Sequence, residues 1–223
     1  MCGRFSIAKE RDEIEDRFEI HIDPAMFTKN YNAAPSQILP IITNEEQEQA
    51  SFHKWGLIPH WAKDETIGNK LINARGETIA EKPSFRDAAE KRRCLVVADG
   101  FYEWQRSGGE KQPYRITLAD ESLFTFAGLW ESWKAEDGRE VRTFTIITTE
   151  PNELMKPIHN RMPVMLTPDN ERVWISDEPL EDVLHLLQPY DEKEMNAYPV
   201  TKKVNSPKNN DRSVMESDQQ LLF

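Results

Sequence analysis

Residues 94–118 read Cys94-Leu95-Val96-Val97-Ala98-Asp99-Gly100-Phe101-Tyr102-Glu103-Trp104-Gln105-Arg106-Ser107-Gly108-Gly109-Glu110-Lys111-Gln112-Pro113-Tyr114-Arg115-Ile116-Thr117-Leu118. Three β-prone runs, 94–98, 101–105 and 114–118, lie here in succession, and Ser107-Gly108-Gly109 supplies turn chemistry between the last two. The same grammar extends outward. Further β-prone runs fall at 37–42, 50–55, 123–130 and 142–149, with Asp137-Gly138 as a second turn between the last pair. Helices fill some of the intervals. Lys9 to Phe18 has Ile14 and Phe18 four apart among charges, Ser84 reads as an N-cap opening a helix to about Arg92, and Leu180 to Leu187 has helical apolar spacing. The expectation is an α+β fold, a single domain over 1–223 with mainly antiparallel β-sheets in a barrel-like arrangement and flanking helices. No repeat or linker divides the chain, and the tail is expected to be loose from about residue 206.

Composition narrows the function classes. The chain has 223 residues, is 38% hydrophobic and 30% charged, and has no apolar run long enough to span a bilayer and no secretory leader. It reads as soluble and cytoplasmic. Its two cysteines, Cys2 and Cys94, give no disulfide framework and no ligand spacing, so neither a metal nor a cofactor is expected. The formal charge of -11 argues against indiscriminate nucleic-acid binding, although Lys70, Arg75, Lys82, Arg86 and Lys91 to Arg93 concentrate positive charge in one stretch. A local basic cleft remains open.

Cys2 is the most reactive candidate. Loss of Met1 would leave an α-amine and a thiol on adjacent carbons, with ordinary pKa values of about 7.7–8.0 and about 8.5. The amine can condense with an aldehyde to an imine, and the thiol can close onto the imine carbon to give a thiazolidine. The alternative is a cysteine in a frayed terminus. Glu103 stands among aromatics in Phe101-Tyr102-Glu103-Trp104. Pointing inward it would have a raised pKa suited to proton transfer; strand alternation could equally turn it outward. His159 lies between Pro157 and Pro163, and an extended backbone would aim His159 and Arg161 to one side. Asn73 and Arg75 share that two-residue spacing, with Asn able to hold an amine and Arg a phosphate; a purely structural Asn is the alternative. Of six tryptophans, Trp61, in a loop, suits stacking on a base.

These segments, in this order, resemble the SOS-response-associated peptidase (SRAP) family, whose members shield abasic sites in single-stranded DNA by covalent crosslinking. The resemblance runs from Met1-Cys2-Gly3-Arg4-Phe5 through Ala34-Pro35, Trp55-Gly56-Leu57-Ile58-Pro59, Asn73-Ala74-Arg75, Gly100 to Trp104 and His159-Asn160-Arg161-Met162-Pro163 to Pro199-Val200-Thr201 and Val204-Asn205. It implies that Cys2 supplies amine and thiol, that Asn73 positions the amine, that Glu103 transfers protons and that His159 acts on the sugar oxygens. It implies that Arg4, Arg75 and Arg161 hold phosphates while Pro35, Trp61 and Thr148 shape the cleft. Some relatives carry tandem tryptophans where this chain has Trp61-Ala62. The partner implied is single-stranded DNA containing an abasic site, met by a monomer without membrane or metal. Weak abasic-site lyase and self-processing activity are expected beside the crosslinking; an N-terminal-cysteine peptidase or amidase and a non-catalytic binding module are the competing readings.

Overall fold

The computed structural model describes residues 2–218, with the strands and helices in the following order. They are β1 (Phe5–Ile7), α1 (Arg11–Phe18), β2 (Asn30–Ala33), β3 (Ile38–Thr43), β4 (Ser51–Trp55), β5 (Asn73–Arg75), α2 (Arg86–Lys91), β6 (Arg93–Ala98), β7 (Gly100–Ser107), β8 (Glu110–Leu118), β9 (Phe124–Lys134), β10 (Glu140–Thr149), β11 (Met162–Pro163), β12 (Met165–Leu166), α3 (Pro168–Trp174), α4 (Leu180–Val183) and β13 (Met195–Pro199). Every β-prone run of the sequence became a strand, and both Gly turns close hairpins, β7–β8 and β9–β10. Short, loop-embedded β1, β2 and β13 carried too little β-branched or aromatic density to be seen as strands.

Two sheets make the fold. In one, β10 pairs with β4, β4 with β3, β3 with β6, β6 with β9 and β9 again with β10, so these five strands close on themselves. Closure removes the exposed edges that an open sheet would leave. All its ladders are antiparallel except those that β10 makes with β4 and β5. The second sheet has the order β13-β8-β7-β1-β2, every neighbour antiparallel. The α+β architecture expected from the sequence is therefore present.

Aromatic packing joins the two sheets and fixes the start of the chain. Phe5 of β1 packs edge-on against Trp55 of β4 at 5.1 Å and Phe126 of β9 at 5.8 Å, and Phe101 of β7 packs edge-on against the same Phe126 at 5.8 Å. Burying Phe5 contributes on the order of 2–3 kcal/mol by area, which exceeds the fraying tendency of a terminal strand. A polar clamp adds to it. The buried Asp99 carboxylate, between β6 and β7, accepts from Ser6 Oγ at 2.5 Å, Lys9 N at 3.1 Å, Arg115 Nη2 at 2.9 Å and the Ala8 backbone N–H. Strand β1 is thus held on both edges and from beneath.

The helices follow the expected pattern with two corrections. Ile14 is the buried residue of α1. Ser84 does not cap α2: Lys82 O already accepts from Phe85 N and Arg86 N, so the chain turns before the Ser84 hydroxyl can reach the helix, and Phe85 occupies the N-cap. The 180–187 helix is α-helical only to Val183 and then tightens to a 3-10 turn at Leu184–Leu186. From residue 206, where looseness was expected, the chain is tied to β2 and β13. Asn32 Nδ2 donates to Ser206 O and Asn209 O, Tyr31 N donates to Asn210 Oδ1, and Asp218 N donates to Pro199 O. The final residues, 219–223, lie outside the described residues. No helix among the described residues is long and apolar enough to cross a membrane.

Candidate active site

Strand β1 delivers Cys2 into the interior. With Phe5 opposite Phe101 and Ser6 opposite Gly100, the antiparallel register carries Arg4 abreast of Tyr102, whose N–H donates to Arg4 O at 2.9 Å. One step further the same register brings Glu103 beside residues 2–3. Cys2 is 0% exposed, and its thiol makes only a long 3.9 Å contact to Arg4 O. Burial first, and then the charge of Glu103, push the thiol well above its ordinary pKa.

Asn73 approaches from the barrel. It starts β5, which is short and held in parallel register by β10, Asn73 opposite Ile146 and Arg75 opposite Thr148. Its Nδ2 donates to the Cys2 carbonyl at 2.8 Å. Its Oδ1 is buried without a hydrogen-bond partner in the structure, an acceptor left open beside the chain start. Such an atom is costly unless a donor reaches it.

Glu103 is 3% exposed. Alternation does put it on the same face of β7 as Phe101, yet that face is inward, so the outward alternative fails. Burial raises its carboxyl above the usual range, partly offset by His159. Glu103 and His159 line one cavity of about 590 Å³, walled also by Ile72, Trp104 and Asn205.

The His159 segment differs from the expectation of extended backbone. Asn152 Oδ1 accepts from Met155 N, and Met155 O accepts from both Ile158 N and His159 N, so residues 152–159 wind as turns. His159 and Arg161 consequently diverge. His159 Nδ1 lies 3.1 Å from Arg161 N and 3.2 Å from Arg161 O, so the backbone of Arg161 fixes the ring and leaves Nε2 facing away from it. The Arg161 guanidinium turns away and grips the Glu77 carboxylate with both Nη atoms, one at 2.8 Å, and Thr148 O at 2.7 Å. This pair holds the Glu77 carboxyl below its ordinary pKa.

The remaining sequence candidates are dispersed around this centre. Arg75 is exposed at the end of β5, and Thr148 is buried with its hydroxyl on Ala74 O at 3.3 Å. Arg4 is committed to the fold: Nη1 donates to Asn32 Oδ1 and Val204 O, both at 2.8 Å, and the guanidinium lies 5.8 Å from the Trp104 ring centroid. Pro35 is half-buried in the turn after β2. Trp61 is 49% exposed, its indole N–H donating to Pro83 O at 3.3 Å. Neither Pro35 nor Trp61 lines the cavity. Cys2, Asn73, Glu103 and His159 are the four that meet. Glu77, Asp99 and Trp104 lay inside segments rich in such chemistry, but only contacts across the fold reveal what each does. Among the described residues, no group of three or more His, Cys, Asp or Glu is placed to hold a metal ion.

Known proteins resemble this chain in sequence and in fold. The sequence profile of the SOS response associated peptidase (SRAP) family matches residues 1–207. The abasic site processing protein YoqW of Bacillus subtilis (strain 168) is 50% identical over 223 residues, spanning 97% of this chain and 100% of the relative. The abasic site processing protein HMCES of Xenopus tropicalis is 32% identical over 222 residues, spanning 84% of this chain and 66% of the relative. A crystal structure of a protein from Bacteroides thetaiotaomicron superposes with a TM-score of 0.90 at 32% identity, covering 97% of this chain and 99% of that one.

Proposed function

The chain belongs to the SOS response associated peptidase family, and on that premise we propose that it processes abasic sites in DNA by forming a covalent thiazolidine with them through Cys2. The observation that carries this reading is the convergence of Cys2, Asn73, Glu103 and His159, from four separate segments, on one interior site.

An abasic deoxyribose opens to an aldehyde at C1′. After removal of Met1 the Cys2 nitrogen attacks C1′, and the carbinolamine loses water to give an imine. The Cys2 sulfur then adds to the same carbon while the thiol proton passes, by way of Glu103, to the nitrogen. Two bonds to C1′ form, one water leaves, and no redox partner is needed. Each residue suits its step. The open Oδ1 of Asn73 accepts from the amine and orients it toward the sugar. A carboxyl whose pKa is raised by burial suits the transfer of the thiol proton to the nitrogen. The Nε2 proton of His159 donates to the ring oxygen as it opens. Arg75 and Arg161 hold flanking phosphates on single-stranded DNA, with Arg4 beneath them. Pro35, Thr148 and the exposed Trp61 shape the strand's path.

The thiol environment argues against the peptidase alternative as the main activity. A cysteine peptidase needs a thiolate favoured by positive charge, whereas with Met1 still in place burial and then the charge of Glu103 raise the pKa of this thiol. Addition of a neutral thiol to an imine, with Glu103 as base, fits the same environment. The imine before ring closure is open to β-elimination, so weak lyase activity accompanies the reaction.

The test mixes Met1-processed protein with single-stranded DNA carrying one abasic site, beside intact DNA and Cys2→Ala, on a denaturing gel. The expected result is a heat-stable adduct that needs both Cys2 and the lesion. Absence of adduct, with a free Cys2 terminus confirmed by mass spectrometry, overturns the proposal.

A further inference from the structure

Arg106 and Lys111 also line the cavity that contains Glu103 and His159. They sit directly opposite each other on the β7–β8 hairpin, Arg106 paired with Lys111 in the antiparallel register, and both are exposed. Side chains so placed have Cβ atoms roughly 4.5–5.5 Å apart, and two like charges at that spacing repel. Among the described residues neither has an ion-pair partner: Glu110, next to Lys111 in sequence, instead faces Lys202 at 3.6 Å. The cavity's one carboxylate, Glu103, is buried beside Cys2, whereas the two cations stand side by side and exposed, so an anion from outside can complete the pair. Arg75, on β5, and Arg161, just before β11, belong to the other sheet, where Arg161 has Glu77 as its counter-ion.

We propose that Arg106 and Lys111 form a second phosphate subsite, binding a backbone phosphodiester of the single strand on the far side of the abasic nucleotide from Arg75 and Arg161. This deepens the reading of the site as one for abasic DNA and rests on it. The strand is then gripped on both sides of the lesion, which draws the sugar down between Glu103 and His159. The repulsion between the two side chains in the free protein is relieved when the phosphate enters, so part of the affinity originates in the hairpin itself. An acidic chain thereby achieves a local basic channel with few cations, four arginines or lysines facing one strand.

The test separates strand binding from covalent chemistry. Fluorescence anisotropy measures binding of a labelled single strand that carries a tetrahydrofuran in place of the abasic sugar, a ring that cannot open to an aldehyde. Wild type is compared with Arg106→Gln/Lys111→Gln, with the charge-preserving Arg106→Lys/Lys111→Arg, and with Lys134→Gln/Lys193→Gln, two cations outside the cavity. Each single-strand phosphate contact releases about 0.7 counter-ion, worth about 5-fold in Kd at 0.1 M salt. Neutralising both residues, and so losing this one phosphate contact, should therefore weaken binding about 5-fold and lower the slope of log K against log salt by about 0.7. The charge-preserving variant should bind like wild type, and the distant pair should change the slope little. A thermal melt that is unchanged or raised in the neutral hairpin variant rules out misfolding as the cause. Equal Kd and equal salt slope in wild type and the hairpin variant would overturn the subsite, as would a wild type that does not bind the strand. Failure of crosslinking on the abasic strand, with the binding difference intact, would instead count against the covalent reading alone.

Discussion

Asp99→Ala should cost more stability than any exposed substitution in the molecule, and the reason is the clamp beneath β1. The carboxylate lies 2.9 Å from Arg115 Nη2, with side-chain exposures of 3% and 6%, and also accepts from Ser6 Oγ and the Ala8 and Lys9 backbone N–H groups. Removing it leaves the guanidinium buried without its counter-charge, a change worth about 3–5 kcal/mol. The hydroxyl and two N–H groups add up to about 1 kcal/mol each where water cannot replace the carboxylate. A net loss of about 4–6 kcal/mol is a large part of the roughly 5–15 kcal/mol that holds a domain of ordinary stability. Urea unfolding at pH 7, followed by circular dichroism, reads the change as a fall in midpoint at constant slope. Because the clamp also sets the position of β1, crosslinking at low temperature should fall further than the folded fraction alone explains. A loss below about 1 kcal/mol, or crosslinking that simply tracks the folded fraction, would refute the idea that Asp99 organises the chain start.

Glu103→Gln should slow crosslinking by about 10²–10⁴-fold, measured as a single-turnover rate. Since burial raises the folded-state pKa of Glu103, its favourable contribution is complete below about pH 4.5 and is lost as pH rises through the folded value, so the Gln variant should melt no lower than wild type at pH 7. His53 behaves oppositely: burial, then the charge of Arg142, lowers its pKa to about 4, against about 6.5 unfolded. Wild type should therefore lose about 2 kcal/mol by pH 5 and about 3 kcal/mol by pH 4 relative to His53→Phe, read from paired urea titrations. Glu77→Gln removes the carboxylate that competes with phosphate for Arg161; single-strand binding should tighten by about 2–5-fold by anisotropy, in line with a half-exposed pair worth about 0.2–1 kcal/mol. Weaker binding would mean that Glu77 instead holds Arg161 in the posture that DNA needs.

Local chemistry made the strands legible, because alternating or continuous apolar runs bounded by glycine turns leave few other conformations. A barrel-like arrangement was expected, but which strands meet to close it was not legible. Closure depends on β10 reaching back to β4 across some 90 residues, as in the pairing of Phe144 with Trp55, and no short-range signal encodes that meeting. Each member of the candidate site stood out for its residue type beside rigid neighbours, but their convergence entered only through the ordered resemblance. Glu103 shows why: whether a strand residue faces in or out is undecidable until both faces of β7 are known to be covered. His159 shows the opposite failure, since two prolines suggested extended backbone while the Asn152 side chain wound the segment into turns.

The position of β1 between β2 and β7 gives the protein a particular order of events during synthesis. Phe5 leaves the ribosome early, yet its partner Phe101 follows about 100 residues later, roughly 5–20 s at ordinary elongation rates. Throughout that interval the first residues are open to the enzymes that trim nascent chains. Once β7 docks, Cys2 is enclosed. If Cys2 acts as proposed, loss of Met1 competes with folding, and slowing translation upstream of residue 100 would lengthen the time available for it.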